Sequence, residues 1–286
     1  MRKVRVALGE ESYDIVIGYG LEQELRAFVQ GAGFSRQAML VTDSNVGPLY
    51  GENVRAILEA GGHSVTVVTI PAGESSKSLA VAEKLYTRAI ELGLDRKSPI
   101  FALGGGVVGD LAGFIAATYM RGVPFVQLPT SLLAQVDSSV GGKVAVNHAL
   151  GKNLIGAFYQ PEAVFMDLAM METLPKREIY TGLGEIIKYG IIYDADFFSY
   201  LEQHADAVLA LEQEAAVHMI ARDQGGRRQP GREGERPAPH PELWPHDGTC
   251  HREGDGLPAL QSRRGCCHRH GRRGGHQCSP RHDRCR

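Results

Sequence analysis

Residues 104–161 read GGGVVGDLAGFIAATYMRGVPFVQLPTSLLAQVDSSVGGKVAVNHALGKNLIGAFYQP, and no other stretch constrains the fold as much. Three glycine-rich loops alternate with apolar runs. Each loop carries a polar or charged residue: Asp110, Lys143, then Lys152 with Asn153. Glycine lets backbone N–H groups converge on an anion, and short apolar runs between turns read as buried strands. The pattern suits a phosphate-bearing ligand held against a parallel sheet.

The segments before it agree. Val4–Leu8 and Tyr13–Ile17 alternate as a β ribbon, and Gly20–Val29 has helical spacing. Gln37–Thr42 reads as a strand ending at Asp43, Leu49–Ala60 as a helix, and Ser64–Ile70 as a strand. Ser78–Leu92 is helical, Ser98–Leu103 a short buried strand, and Val107–Met120 a helix. Strands alternating with helices predict an α/β fold with a parallel sheet covered on both faces. From Leu174 the spacing turns helical. The expected organisation is an N-terminal parallel-sheet, nucleotide-binding α/β domain over 1–174, then a truncated α-helical domain over 175–222.

Near residue 222 the composition changes. From Asp223 onward there is no Val, Ile, Phe, Tyr, Met or Lys, while all 5 Cys, 7 of the 11 His and the 1 Trp fall there. Such a segment buries too little apolar surface to offset its ordering entropy, so residues 223–286 are expected to be disordered. A zinc module is a poor fit, because Cys250, Cys266, Cys267, Cys278 and Cys285 form no C-x-x-C pair. A shifted reading frame fits better. Trp244 followed by Pro245 forces Gly in that frame, and Pro241 through Glu253 permits Leu-Asn-Phe-Gly-His-Thr-Thr-Gly-His-Ala-Ile-Glu. Gln261 through Gly271 permits Ser-His-Gly-Glu-Ala-Val-Ala-Ile-Gly-Met-Val, although the wobble base leaves freedom in these choices.

The formal net charge of −2 gives no pull towards nucleic acid or membrane surfaces. No run reaches the apolar length of a membrane span, and the N-terminus lacks a signal-peptide core, so a cytoplasmic location is expected.

Several residues are candidates for chemistry. Gly104, Gly106 and Gly109 fit G-x-G-x-x-G between a strand and a helix, where a helix N-terminus favours a pyrophosphate; a tight strand–helix turn would look the same. Asp43 closes a strand and suits ribose hydroxyls or a turn cap. Glu74 and Lys77 follow another strand end, as ligand contacts or as a loop ion pair. Lys143 and Lys152–Asn153 suit phosphate or carboxylate. Asp137 suits orienting a lysine, shuttling a proton or capping. Glu185 and Lys188 share a helix face, as a metal carboxylate beside a cation or as a plain i,i+3 pair.

The strings GGGVVGDLAGF, LPTSLLAQVDSSVGGKVAVNH, GKNLIGAFYQP and GLGEIIKYGII resemble the 3-dehydroquinate synthase family over about residues 1–222. The resemblance implies an NAD-binding α/β domain and a helical domain with the active site between them. It implies conversion of 3-deoxy-D-arabino-heptulosonate 7-phosphate to 3-dehydroquinate and phosphate, a shikimate-pathway lyase step with transient NAD redox and zinc or cobalt. Asp43, Glu74, Lys77, Gly106, Val107, Val108, Gly109, Asp110, Thr130 and Ser131 match NAD contacts. Lys143 and Lys152 match cofactor- or substrate-contacting positions. Arg121, Asp137, Lys152, Asn153 and Lys188 match active-site positions, and Glu185 matches one metal ligand. Two histidine ligands, in motifs resembling Gly-His-Thr-x-Gly-His and His-Gly-Glu, occur only in the shifted frame, so the chain as written is expected to be inactive. The partners implied are a sugar phosphate and a second copy in a homodimer, with no nucleic acid or membrane. Rival readings are another sugar-phosphate cyclase, an iron-type alcohol or glycerol dehydrogenase, and a non-catalytic NAD-binding remnant.

Overall fold

The computed structural model describes residues 1–226, with side chains through residue 222. These residues lie within one compact unit. Strands are β1 (Arg2–Val6), β2 (Tyr13–Gly18), β3 (Gln37–Asp43), β4 (Ser64–Ile70), β5 (Ile100–Gly104), β6 (Phe125–Pro129), β7 (Lys143–His148), β8 (Gly151–Phe158) and β9 (Ala163–Asp167). Helices are α1 (Glu22–Gly31), α2 (Glu52–Ala60), α3 (Leu79–Glu91), α4 (Gly106–Thr118), α5 (Lys176–Tyr193), α6 (Ala195–Gln203), α7 (Ala205–Leu209) and α8 (Gln213–Gly226).

Seven strands form one sheet in the order β1-β2-β9-β6-β5-β3-β4. Only β1 runs antiparallel, against β2; the remaining neighbours are parallel. Period-2 alternation sends successive side chains to opposite faces. In β3, Ala38 and Leu40 join Leu25 of α1 and Leu58 of α2, whereas Met39 and Val41 join Leu85 of α3 and Leu111 of α4. Both faces are therefore apolar, as a covered parallel sheet requires. Towards the β1 edge, Tyr13, Ile15 and Ile17 of β2 and Met166 of β9 pack with Leu183 and Ile186 of α5, Phe197 of α6 and Met219 of α8. The helices that follow Leu174 thus share a core with the sheet edge.

Local rules explain the boundaries. Ser78 caps α3, its Oγ accepting from Val81 N at 3.4 Å, and Asp194 caps α6, accepting from Phe197 N at 3.0 Å. The ribbon is offset from the expected one: β1 begins at Arg2 and ends at Val6. The left-handed Gly9 (φ 67°) and the Ser12 side chain, bonded to Gly9 O and Leu8 N, take residues 8–12 for the turn.

The larger departure from expectation lies in residues 125–167. Beyond β6 and β9, two apolar runs close on each other as an antiparallel hairpin, β7–β8. Lys152 and Asn153 therefore sit in a strand and not in a loop, while Gly141 and Gly142 before Lys143 do form one (φ 89° and 66°). Periodicity cannot distinguish a two-stranded ribbon from loops when glycines precede one strand and interrupt the other.

Helix α4 meets this hairpin closely at Gly113. A Cβ there would collide with Val144 Cγ1 and lie 2.9 Å from Phe125 Cε1. Gly113→Ala is expected to destabilise the protein by about 1–3 kcal/mol through overpacking, read as a lower thermal midpoint; an unchanged midpoint would mean that the hairpin gives way freely.

Helix α8 continues through Gly226, past the expected boundary at residue 222, while the five cysteines and the shifted-frame histidine motifs lie outside the described residues. Among the described residues no helix is long and apolar enough to cross a membrane.

Candidate nucleotide and phosphate site

Strand order locates the crevice. From β3 the chain goes first to β4 on one side and then to β5 on the other, so the winding reverses between β3 and β5. Ligands of open α/β sheets bind outside the carboxyl ends of strands at such a reversal. Asp43 ends β3, and Gly104 ends β5 just before α4.

The N-terminus of α4 is bare backbone. A Cβ on Gly104 would lie 2.6 Å from Val108 Cγ2, and one on Gly109 would lie 3.0 Å from Gln127 Oε1, so glycine is needed for the helix to seat. Gly105 and Gly106 face hydroxyls: a Cβ would come 3.3 Å from Ser131 Oγ and 3.0 Å from Ser138 Oγ respectively. N–H groups and hydroxyls without intervening side chains make a cradle into which a pyrophosphate fits. Val107 and Val108 belong to the same turn, with Val108 fully buried. Thr130 N donates to Gly104 O at 3.0 Å, tying β6 to the glycine turn, and Ser131 Oγ accepts from Ala134 N at 3.3 Å. Asp43 Oδ1 accepts from Asn45 N at 2.8 Å and Val46 N at 3.0 Å, so the turn-cap role is realised at the crevice rim.

Lys77 is 5 % exposed, and its ammonium donates to Asp110 of α4 and to Asn153 of β8. Burial pushes the Asp110 carboxyl above the ordinary aspartate value, outweighing the hydrogen bond and charge of Lys77 that pull it down. One cation thus joins the loop after β4, the glycine helix and the hairpin. Beside it lies a cleft of about 520 Å³ whose lining includes Asp110, Asp137, Ser138, Lys143 and Asn153. Lys143 projects from the start of β7 and is exposed. The cleft brings carboxylates and a cation against the helix N-terminus, an arrangement able to hold an anion and to move a proton beside it.

Not every candidate gathers there. Lys152 is exposed, with its Nζ 3.8 Å from Glu74 Oε1. Arg121 is exposed in a left-handed turn with Met120 (φ 68° and 50°) and does not line the cleft. Glu185 and Lys188 pair with each other on α5, the side chains 29 % and 51 % exposed. Among the described residues no group of three or more His, Cys, Asp or Glu could hold a metal ion. A single carboxylate already paired with a lysine does not make a metal site, so the described residues do not fit the metal. Sequence reasoning missed Asn147, whose carboxamide bonds Glu74 and Asn153; its signal was the turn-like HALG between VAVN and KNLIG.

Residues 67–181 match the family described as 3-dehydroquinate synthase N-terminal, and residues 182–225 match 3-dehydroquinate synthase C-terminal. The 3-dehydroquinate synthase of Citrifermentans bemidjiense is 52% identical over 220 residues, covering 77% of this chain and 61% of that protein. The chain therefore spans about three fifths of the curated relatives it matches. The structure of 2-epi-5-epi-valiolone synthase from Streptomyces hygroscopicus with NAD+ and Zn2+ bound superposes with a TM-score of 0.69 at 31% identity, covering 77% of this chain and 62% of that one. A 2-deoxy-scyllo-inosose synthase complexed with carbaglucose-6-phosphate, NAD+ and Co2+ gives 0.65 at 25%, covering 78% and 66%.

Proposed function

Because the chain belongs to the 3-dehydroquinate synthase family over residues 67–225, we propose that its site serves the cyclisation of 3-deoxy-D-arabino-heptulosonate 7-phosphate to 3-dehydroquinate and phosphate. The observation that carries this reading is the bare α4 N-terminus, at the reversal of strand order, opening onto a cleft with Lys143 and Asn153. Residues 1–174 form the nucleotide-binding part and 175–222 the opening of the helical part.

Gly105, Gly106 and the Ser131 and Ser138 hydroxyls receive the NAD pyrophosphate, and Asp43 stands where a ribose would reach the sheet edge. NAD, when bound, would supply a hydride acceptor that is regenerated by returning the hydride within the same turnover. Lys77 holds Asp110 and Asn153 in place, so the cleft wall is set before substrate arrives. Lys143 neutralises phosphate charge in the cleft, Lys152 and Arg121 are cations that reach the substrate only from outside the cleft lining, and the Asp137 carboxylate takes a proton beside the phosphate. Zinc or cobalt would be held by Glu185 together with the shifted-frame histidines, which lie outside the described residues. The protein acts in the cytoplasm as a homodimer, with no nucleic-acid or membrane partner. The 286-residue chain itself is proposed to bind NAD without turnover.

Calorimetric titration with NAD tests the reading. The chain is expected to bind saturably. Gly106→Val, which puts a side chain against Ser138 and over the helix terminus, is expected to weaken binding at least tenfold, about 1.4 kcal/mol. Equal affinity in the two proteins would move the nucleotide elsewhere.

A further inference from the structure

We infer that the Asn147 carboxamide is a positioning residue that couples the nucleotide loop to the phosphate-binding hairpin. The inference rests on the functional reading above.

The pairing register of the hairpin is the starting point. Val146 pairs with Ile155 and His148 with Gly151, so Lys152, Asn153 and Leu154 together oppose Asn147. A bulge of this kind leaves ladder groups without their usual partners. The Asn147 side chain makes up the deficit: its Oδ1 accepts from Asn153 N at 3.0 Å. Asn153 meanwhile adopts φ 57°, a left-handed conformation that asparagine tolerates better than most residues.

The other end of the same carboxamide faces the loop after β4. Asn147 Nδ2 donates to Glu74 Oε1 at 2.8 Å, the oxygen that Lys152 Nζ approaches at 3.8 Å. The two partners fix the amide orientation, because a carboxylate only accepts and a backbone N–H only donates. The Asn147 backbone N–H donates to Lys77 O at 2.8 Å, and Ser78 forms an isolated bridge with Asn147. Asn153 closes the circuit by accepting from the Lys77 ammonium.

Glu74, on the nucleotide side, therefore shares one half-buried carboxamide with the Asn153 backbone on the phosphate side, and Lys77 is tied to the same pair through the Asn147 N–H and the Asn153 side chain. Ordering either side lowers the cost of ordering the other, which is positive coupling between two ligands.

Calorimetric titration of the full 286-residue chain with inorganic phosphate, with and without saturating NAD, reads this coupling. NAD is expected to tighten phosphate binding about tenfold, within the usual range of such couplings. Asn147→Ala is expected to reduce that ratio to about one. Asn147→Asp keeps the acceptor for Asn153 N–H but sets a carboxylate against Glu74, so it should also lose the coupling while retaining the fold. Adding Glu74→Gln to Asn147→Asp restores a donor–acceptor pair with the roles exchanged and should bring most of the ratio back, which a merely structural loss would not do. Coupling that survives in either single variant, or is absent from the parent chain, overturns the inference. A parent chain that binds no NAD overturns the functional reading and the inference with it.

Discussion

The 286-residue chain is expected to release no measurable phosphate from 3-deoxy-D-arabino-heptulosonate 7-phosphate, whereas a chain frame-corrected near codon 223 turns over with NAD and zinc or cobalt. The physical reason is ligand count. A catalytic zinc site uses three protein ligands, and among the described residues Glu185 stands without two others. The shifted frame permits Gly-His-Thr-Thr-Gly-His and a His-Gly-Glu motif. Within the corrected protein, Glu185→Gln removes the anion and keeps the shape. Metal content and turnover are expected to fall by orders of magnitude, while NAD affinity, set at the α4 terminus, changes little. Lys188→Ala is expected to weaken phosphate binding and leave the metal. Metal analysis, NAD titration and phosphate release on each variant separate these outcomes. Stoichiometric zinc and a near-normal rate in Glu185→Gln would reduce the residue to the partner of Lys188 that the i,i+3 pair already shows. A stop codon in the corrected frame ahead of the histidine motifs would end the proposal at the level of DNA.

Removing one partner of the buried Lys77–Asp110 pair should be the most damaging single change to stability. The two side chains are only 6% and 18% exposed. Asp110→Leu leaves an ammonium in that site that still donates to the Asn153 side-chain carbonyl but has lost its counter-charge. Breaking a buried pair from one side costs roughly 3–5 kcal/mol, and at about 2–4 °C per kcal/mol for a chain of this size the melting point falls by roughly 6–20 °C. The double variant Asp110→Leu with Lys77→Met should recover most of that loss, because burial already outweighs the attraction at Asp110. The sign of the pH effect follows. A carboxyl raised in the folded state contributes stability at pH below its ordinary value, and that contribution is lost as pH rises through the raised value. The parent melting curve should carry this loss in the acid range and the double variant should not. A double variant as unstable as the single one would show that the pair is a net stabiliser.

Much of the architecture was legible in the chain because it is written locally. Gln37–Asp43 and Ser64–Ile70 are apolar runs closed by turn residues, and they form β3 and β4 nearly as expected. The G-x-G-x-x-G turn at 104–109 was also readable, since missing side chains are themselves a sequence feature. The hairpin was not. Glycines precede β7 and interrupt β8, and whether VAVN and KNLIG pair or wander depends on what they pack against. In the folded protein Val144 and Val146 are buried in the core that includes α4, with Gly113 opened to admit Val144.

The parallel sheet, the glycine helix terminus and the charged residues near it are written in local sequence pattern. Their partners are set by the way the chain folds. Lys77 and Asp110 are 33 residues apart and Lys77 and Asn153 are 76 apart, yet one ammonium holds both. The Glu185–Lys188 pair, three residues apart on one helix, could be foreseen from spacing alone. The difference is physical: helical periodicity fixes neighbours at i,i+3, whereas contacts across strands depend on sheet order and register, and a bulge at Asn147 set the register that brings Asn153 to Lys77.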